Sequence, residues 1–384
     1  MHPNSYTDIV SCLRLKTRNS LIQHIASANL KKSYRKQKAE ASMNTQACLP
    51  EKVRVSAGSA VVLGLLKAKL DAAPTTAYLM TYRKKKCDAN CSFCPQARRS
   101  SGRTDLLSRV SWPSFPTIEV VEAIEPAFKR GRIKRVCIQA LNYPEVFDDL
   151  LALVDAIYSL TRMPISVSCQ PVKGEDMIRL RRAGTQRIGI PLDAATKEVF
   201  DKTKGSEADG PYRWERQLQV LRDATEVFGK GMVSTHLIVG IGETEKQMVK
   251  TIQDCVDMGV LPGLFAFTPI QGTALADKTP PEVRQYRRIQ VARYLILQKM
   301  VRCEDMKFNK DRLTDFGVGG ETLERIVKTG KPFLTSGCSD CNRPYYNERP
   351  GGPIYNYPMM LTRSEVSETL NELGFDMKKT TGTD

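Results

Sequence analysis

The amino-acid sequence predicts an α/β fold, a (β/α)8 TIM-type barrel with N- and C-terminal extensions. The first observation is that short apolar runs alternate with longer segments whose apolar residues recur every three or four positions. The second is that glycine and proline cluster at the junctions, as at Gly184, Gly231 and Gly263. Eight strand–helix alternations predict a parallel sheet that closes into a barrel, and a partial (β/α)6 barrel is the alternative.

The predicted elements begin near residue 53 and continue along most of the chain. A barrel of this kind places its chemistry on the loops that follow the carboxyl ends of the strands. The strand candidates are residues 77–82, 135–140, 165–169, 187–191, 232–239, 264–268, 306–309 and 332–335. The main helix candidates are residues 117–130, 146–160, 212–228, 245–258 and 281–301.

Composition divides the 384 residues into three regions. Residues 1–45 are a basic segment that we interpret as a disordered tail or as translation from an upstream start codon. We interpret residues 46–360 as the barrel, and residues 361–384 as a helix at 363–373 with a polar tail. Because no run of about 18 apolar residues occurs, we expect no membrane span and a cytoplasmic protein.

Cysteine and histidine are used very unevenly. The chain has eleven cysteines and three histidines, and only His236 lies outside the N-terminal segment. A large, odd number of cysteines without a secretory signal argues against a disulfide framework and favours thiols in a reducing compartment, some as metal ligands. The scarcity of histidine argues against zinc sites built with histidine and against histidine acid–base chemistry. The net charge of +16 suits an acidic protein partner, an anionic cofactor or nucleic acid.

Cys87, Cys91 and Cys94 follow the first predicted strand in the spacing CxxxCxxC. Three thiolates at this spacing can reach three corners of a cubane [4Fe–4S] cluster, which leaves one iron open to an exchangeable ligand. A zinc site is the alternative, but it needs a fourth nearby Cys or His, and the neighbouring sequence offers none. The spacing therefore favours an iron–sulfur cluster with one free coordination position.

This segment resembles the signature of the radical S-adenosylmethionine (SAM) superfamily, which follows the first strand of a β/α barrel. The resemblance implies that the open iron binds the amino and carboxylate groups of SAM. It also implies that reduction yields a 5′-deoxyadenosyl radical, which abstracts hydrogen from the substrate. Phe93 matches the aromatic position beside the adenine. The cofactors then carry the difficult chemistry, while the protein binds, orients and shields them.

Other SAM-binding positions match the superfamily only in part. After the fifth predicted strand, Ile238, Gly240, Gly242 and Glu243 resemble the superfamily's GxIxGxxE adenine-contact motif. His236 stands where that motif has its first glycine, and the GGE motif that holds the methionyl amine is absent after strand two. Asn142 is the candidate substitute there, and Asp193 after strand four is a candidate contact to the ribose hydroxyls.

Several segments also resemble biotin synthase, among them residues 272–277, which read GTALAD. Biotin synthase keeps a second cluster inside its barrel on cysteines of strands two, three and five, where this chain has Cys137, Cys169 and Ser234. Period-two alternation points Cys137 inward together with Gln139. A buried structural cysteine is the alternative reading of each thiol.

A second pair of cysteines, Cys338 and Cys341, follows the eighth predicted strand in a turn-rich segment. A CxxC pair at the barrel mouth is placed to hold a second iron–sulfur cluster, and Cys48 is a candidate further ligand. The residues expected to surround that cluster or an acidic substrate are Arg343, Tyr345 and Arg349. A redox dithiol and a zinc site shared with a partner are the alternatives.

Residues 338–352, which read CSDCNRPYYNERPGG, together with residues 53–98 resemble the second, biotin-synthase-like component of the two-protein lipoyl synthase. This resemblance covers residues 46–360. It implies insertion of sulfur at an unactivated C–H position of an octanoyl chain, carried on a lysine of a lipoyl-carrier protein. The second cluster would donate the sulfur. The other synthase component would be a partner, and ferredoxin or flavodoxin would supply electrons.

Other functions stay open at this point. Sulfur insertion into a free small molecule, as in biotin synthesis, and radical chemistry without sulfur transfer, such as a rearrangement or a cofactor-maturation step, are the main ones. The charge permits a tRNA-modifying protein, but no appended OB-like domain or basic–aromatic stripe is visible, so we do not expect nucleic acid as a partner. A non-enzymatic cluster carrier is disfavoured by the barrel pattern. The motifs single out ligands rather than a catalytic side chain.

Overall fold

The computed structural model describes residues 49–170 and 173–374. The predicted basic tail and Cys48 lie outside these residues. The strands, in chain order, are β1 (Lys52–Val55), β2 (Thr76–Thr81), β3 (Leu106–Leu107), β4 (Val110–Ser111), β5 (Ser114–Pro116), β6 (Arg135–Gln139), β7 (Ile165–Ser168), β8 (Thr185–Gly189), β9 (Val233–Val239), β10 (Val260–Ala266), β11 (Lys307–Asn309) and β12 (Arg312–Asp315).

Eight of these strands form one sheet, in the order β10-β9-β8-β7-β6-β2-β1-β5. The six strands from β2 to β10 in this order run parallel, while β1 pairs antiparallel with both β2 and β5. Two short hairpins, β3–β4 and β11–β12, stand apart. The α/β class with a mostly parallel sheet is therefore confirmed. In the strand order of the described chain β5 and β10 are end strands, so the sheet is not closed.

One helix connects the antiparallel strands β1 and β2, and the others follow the parallel strands in turn or lie beyond the last of them. They are α1 (Ala57–Leu63), α2 (Thr117–Lys129), α3 (Val146–Thr161), α4 (Gly174–Ala183), α5 (Lys197–Thr203), α6 (Trp214–Phe228), α7 (Glu245–Asp257), α8 (Val283–Leu297), α9 (Gly320–Lys328) and α10 (Arg363–Leu373). Short 3-10 helices lie at Cys303–Asp305 and Lys331–Phe333. None of the helices within the described ranges has the length and apolar character needed to cross a membrane.

Alternation along each strand separates an apolar face from a cavity face. On β6, Val136 and Ile138 pack in the apolar cluster between the sheet and the helices, where they meet residues of α2 and α3. The residues between them, Cys137 and Gln139, line a cavity on the opposite face. Because a strand's side chains alternate between faces, burial of the apolar set fixes which polar and sulfur-bearing side chains reach the cavity. The predicted inward direction of Cys137 is confirmed.

The last two predicted strands do not extend the sheet. Residues 306–309 contribute β11 to a hairpin, whose turn holds Lys310 and Asp311 at φ values of 48° and 63°. Two successive positive φ values are the geometry that reverses a two-residue hairpin. Residues 332–335 begin instead in a 3-10 helix with Pro332 in its first turn, because proline lacks the N–H that a sheet ladder needs. The observed sheet has six parallel strands, as in the alternative (β/α)6 arrangement.

Candidate cofactor and cluster site

A cavity of about 490 Å³ lies against the face of the sheet that the connecting helices do not cover. All six parallel strands contribute residues to its lining, among them Tyr78, Met80, Cys137, Gln139, Ser166, Ser168, Gly189, Ser234, His236, Ile238, Gly263 and Phe265. The loops that follow the strands complete the lining. In a parallel sheet the carboxyl ends of the strands meet at one edge, so these loops bring distant parts of the sequence together.

The loop after β2 brings Cys87, Cys91 and Cys94 to this cavity. The Cys94 N–H donates to the Cys91 carbonyl at 3.0 Å, and the Cys87 N–H donates to the Gln96 carbonyl at 2.9 Å. The Asn142 N–H, on the loop after β6, donates to Cys87 Sγ at 3.1 Å. The backbone of two loops therefore holds the predicted triad beside the cavity.

The thiols of this triad are poor acids in the protein alone. Burial raises the pKa of Cys94 to about 12, and the neighbouring Cys87 adds to the shift. Burial also raises the pKa of Cys91 well above its ordinary value, with the negative charge of Cys94 as a further cause. Because iron binds the thiolate, the free energy of deprotonation must come from the metal, as expected for ligands that assemble with their cluster.

Some of the candidate SAM-binding residues line the same cavity, and others do not. Phe93, Asn142, Asp193 and Ile238 are in its lining. Asp193 has a φ of 67°, and its carboxylate pairs with the ammonium of Lys204 at 2.6 Å. Lys204 is fully buried, and sequence reasoning missed it because it lies in a stretch rich in charged residues that looks solvent-exposed.

Gly240, Gly242 and Glu243 do not appear in the lining and form the turn after β9 instead. The Glu243 carboxylate accepts the N–H groups of Gly240, Ile241 and Gly242 at 2.6, 3.1 and 3.1 Å. Burial raises the pKa of Glu243, and the backbone donors oppose that shift. This glutamate shapes the turn from within, and direct contact of these three residues with SAM stays a prediction.

Cys338 and Cys341 line the same cavity as the N-terminal triad. Their segment is tied to the start of β2, where the Thr75 N–H donates to the Asn342 side-chain oxygen at 2.9 Å. The Tyr78 hydroxyl lies 3.3 Å from Cys341 Sγ, and it accepts a hydrogen bond from the Arg343 backbone N–H at 2.9 Å. Both CxxC cysteines therefore lie where the sequence pattern predicts, facing the cavity.

The residues predicted around this pair have different positions. Arg343 and Tyr345 line the cavity, and the Arg343 guanidinium stacks on the Phe265 ring at 3.8 Å. Arg349 is exposed and absent from the lining. Tyr346 of the same segment also lines the cavity, together with Phe265 and Tyr78, which are distant in sequence from the CxxC pair.

The cavity has the chemistry that a [4Fe–4S] cluster and SAM require. No group of three or more Cys, His, Asp or Glu in residues 49–170 and 173–374 is arranged to hold a single metal ion, whereas a cubane takes its thiolates at separate iron corners. The Tyr212 hydroxyl is buried in the lining beside Cys91, without a hydrogen-bond partner among the described residues. A buried unpaired hydroxyl is costly, so a bound polar ligand would satisfy it.

Comparison with known proteins gives a match for the central region. The sequence model of the Radical SAM superfamily matches residues 83–255. The chain is 27% identical over 241 residues to biotin synthase of Chlamydia pneumoniae, covering 59% of this chain and 66% of that protein. It is 25% identical over 234 residues to biotin synthase of Cytophaga hutchinsonii, covering 58% and 64%. The chain therefore spans less than two thirds of the length of these relatives.

The crystal structure of methylornithine synthase is similar with a TM-score of 0.46 and 14% identity, covering 58% of this chain and 62% of that one. The match to the superfamily implies a [4Fe–4S] cluster and SAM as cofactors, and the three cysteines that the loop after β2 presents lie inside the matched range. Residues 83–255 therefore match the Radical SAM superfamily, and the chain has homologues at low identity among the biotin synthases.

Proposed function

We propose that the protein is a radical SAM enzyme that inserts sulfur at an unactivated C–H position. The observation that carries this proposal is the presence of a second cysteine pair, Cys338 and Cys341, on the cavity that also holds the triad Cys87, Cys91 and Cys94. Sulfur insertion needs a sulfide source beside the position where the radical forms. The biotin synthase relatives support the same reaction class.

Between the two sets of cysteines, the lining suits an aliphatic substrate. Met80, Leu107, Val110 and Trp112 contribute apolar surface to it, and Trp112 is almost completely buried. Sites for small apolar groups are lined mostly by apolar and aromatic side chains with few polar anchors. When bound, the cluster and SAM supply the radical that removes hydrogen from the substrate. The chain's own residues hold the alkyl group and exclude water.

We propose a protein-bound octanoyl chain as the substrate, carried on a lysine of a lipoyl-carrier protein. Outside residues 1–42 the chain still has an excess of positive charge. A basic surface favours association with an acidic carrier domain. A second lipoyl synthase component and a low-potential donor such as ferredoxin or flavodoxin complete the proposed system. The C-terminal segment at residues 338–352, which reaches into the cavity, supports this choice over other radical SAM reactions.

The test starts from anaerobic reconstitution of the full chain and of Cys338→Ala/Cys341→Ala, followed by counts of iron and sulfide. About eight irons, which fall to about four in the double variant, would support two [4Fe–4S] clusters. About six irons that the variant does not change would favour an in-barrel [2Fe–2S] cluster. About four irons in both proteins would remove the sulfur donor and, with it, the proposal.

Substrate identity is tested separately by turnover with a reductant and SAM. An octanoylated lysyl peptide and a free dethiobiotin-like molecule are supplied to the same preparation, with and without the second synthase component. Sulfur in the peptide product, detected by mass spectrometry, supports the octanoyl substrate. Sulfur only in the free molecule favours the biotin-type reaction, which the two relatives make the second candidate. Cleavage of SAM without sulfur in either product would point to radical chemistry of another kind.

A further inference from the structure

Cys137 occupies the middle of a row of three side chains on the cavity face of the sheet. In the parallel register, Tyr78 of β2 pairs with Cys137 of β6, and Cys137 pairs with Ser166 of β7. Side chains at paired positions of neighbouring strands point to the same face, and all three line the cavity. The row therefore crosses the cavity face with a thiol at its centre.

The two C-terminal cysteines contact the two ends of this row. Cys341 Sγ lies 3.3 Å from the Tyr78 hydroxyl, and Cys338 Sγ lies 3.7 Å from the Ser166 hydroxyl. Neighbouring strands are about 4.8 Å apart. The backbone of Cys137 is therefore one strand spacing from that of Tyr78 and one from that of Ser166, the two residues that contact Cys341 and Cys338. Three thiols thus border one region of the cavity, on the side of the sheet away from the helices.

Charge and packing agree with this grouping. Cys137 and Cys341 pack against the same small apolar cluster, which contains Tyr78. The Arg135 guanidinium donates to the Ser166 hydroxyl at 3.1 Å, and that hydroxyl lies 3.7 Å from Cys338 Sγ. A cation in this position offsets the negative charge that thiolate ligands bring to a cluster.

Cys169, at the end of β7, provides a contrast. It borders the cavity, but its side chain packs in the apolar cluster between the sheet and the helices, on the same side as Ile165 and Val167. Burial alone raises its pKa to about 12, and no other cysteine contributes. Cys137 of β6 and Cys169, which follows β7, therefore lie on opposite faces of the sheet.

We propose that Cys137, Cys338 and Cys341 are together the protein ligands of the second iron–sulfur cluster. This assignment rests on the proposed function, which requires that cluster, and it adds the ligand that the CxxC pair lacks. The Gln139 side chain donates to Cys137 Sγ at 3.1 Å, and the Tyr78 hydroxyl is placed to do the same for Cys341. Such hydrogen bonds to sulfur tune a bound cluster. Three thiolates leave one iron without a cysteine ligand.

The experiment uses a full chain in which the first cluster is removed by Cys87→Ala, Cys91→Ala and Cys94→Ala, so that all bound iron reports on the second cluster. Iron, sulfide and the Mössbauer spectrum are measured after reconstitution, alone and with Cys137→Ala, Cys169→Ala or Cys48→Ala added. We expect about four irons in the triple variant, an unchanged count with Cys169→Ala and Cys48→Ala, and loss of most of the iron with Cys137→Ala.

A separate measurement shows whether Cys137→Ala folds. In the otherwise native chain, this variant is expected to keep about four irons and the spectrum of the first cluster, and Cys137→Ser is a second variant with a smaller change in shape. An intact [4Fe–4S] spectrum in the triple variant with Cys137→Ala or Cys137→Ser would overturn the ligand assignment alone. Absence of iron from the triple variant itself would overturn both the assignment and the proposed sulfur donor.

Discussion

Replacing Lys204 with methionine tests whether its buried ion pair with Asp193, beside the cavity, stabilises the fold. The Lys204 ammonium lies 2.6 Å from the Asp193 carboxylate, with side chains 0% and 9% exposed. The ammonium also donates to the Pro191 carbonyl, and the rings of Phe200 and Tyr212 lie 5.8 and 5.2 Å from it. Methionine occupies a similar volume but leaves the carboxylate buried without its counter-charge.

Removing one partner of a buried ion pair costs about 3–5 kcal/mol, because the remaining charge keeps its desolvation penalty. We expect Lys204→Met to lower the free energy of unfolding by about this amount, measured from urea unfolding of the metal-free chain. The matched control is Lys202→Met, an exposed position in α5, where the same change should stay within about 0.5 kcal/mol.

The double variant Asp193→Asn/Lys204→Met distinguishes a charge effect from a packing effect. With both charges removed, the desolvation penalty disappears, so the double variant should recover part of the lost stability. Equal unfolding midpoints for Lys204→Met and Lys202→Met would refute the reasoning. So would a double variant that is no more stable than Lys204→Met, since the loss would then come from packing.

Two further predictions follow from single residues. Burial lowers the pKa of His236 to about 4, so the unfolded chain binds a proton that the folded chain does not as pH falls from about 6.5 towards 4. The free energy of unfolding should decrease across that window by up to about 3 kcal/mol, and His236→Phe should flatten the decrease in urea titrations at several pH values. Gly240 has a φ of 99°, and an added Cβ would lie 2.9 Å from Pro281. Gly240→Ala should therefore lower the unfolding free energy by about 1–3 kcal/mol, whereas Gly174→Ala, where nothing lies within 4 Å of the new Cβ, should not; equal effects would contradict the strain argument.

The first six predicted strands could be found from the sequence because each pairs an apolar run with a following amphipathic helix. The predicted strand at 135–140, for example, corresponds to β6 (Arg135–Gln139). Residues 306–309 do form a strand, β11, but the turn at Lys310-Asp311 places it in a separate hairpin, and residues 332–335 begin in a 3-10 helix that contains Pro332. The short strands β1 and β5 were missed because runs of four and three residues are too short to show the alternation that marks a strand.

In the candidate site, too, some features could be predicted from the sequence and others could not. Cys87, Cys91 and Cys94 could be predicted because their spacing is local. Contacts between distant segments leave no such signal: nothing in the sequence around Lys204 indicates that its ammonium is buried against Asp193. Glu243 was predicted from its motif, but the motif does not reveal that its carboxylate accepts the three N–H groups of its own turn.

The contact between Tyr78 and Cys341 spans 263 positions of the chain, which has a consequence for biogenesis. The N-terminal triad is contained in eight residues, Cys87 to Cys94, so the ribosome delivers all its ligands within moments of one another. During translation the N-terminal part of a chain leaves the ribosome first, and it generally folds first. The proposed second site, in contrast, waits for almost the whole polypeptide. Iron–sulfur assembly factors would therefore meet two kinds of client in one protein: an early local one, and a late one that depends on completed folding.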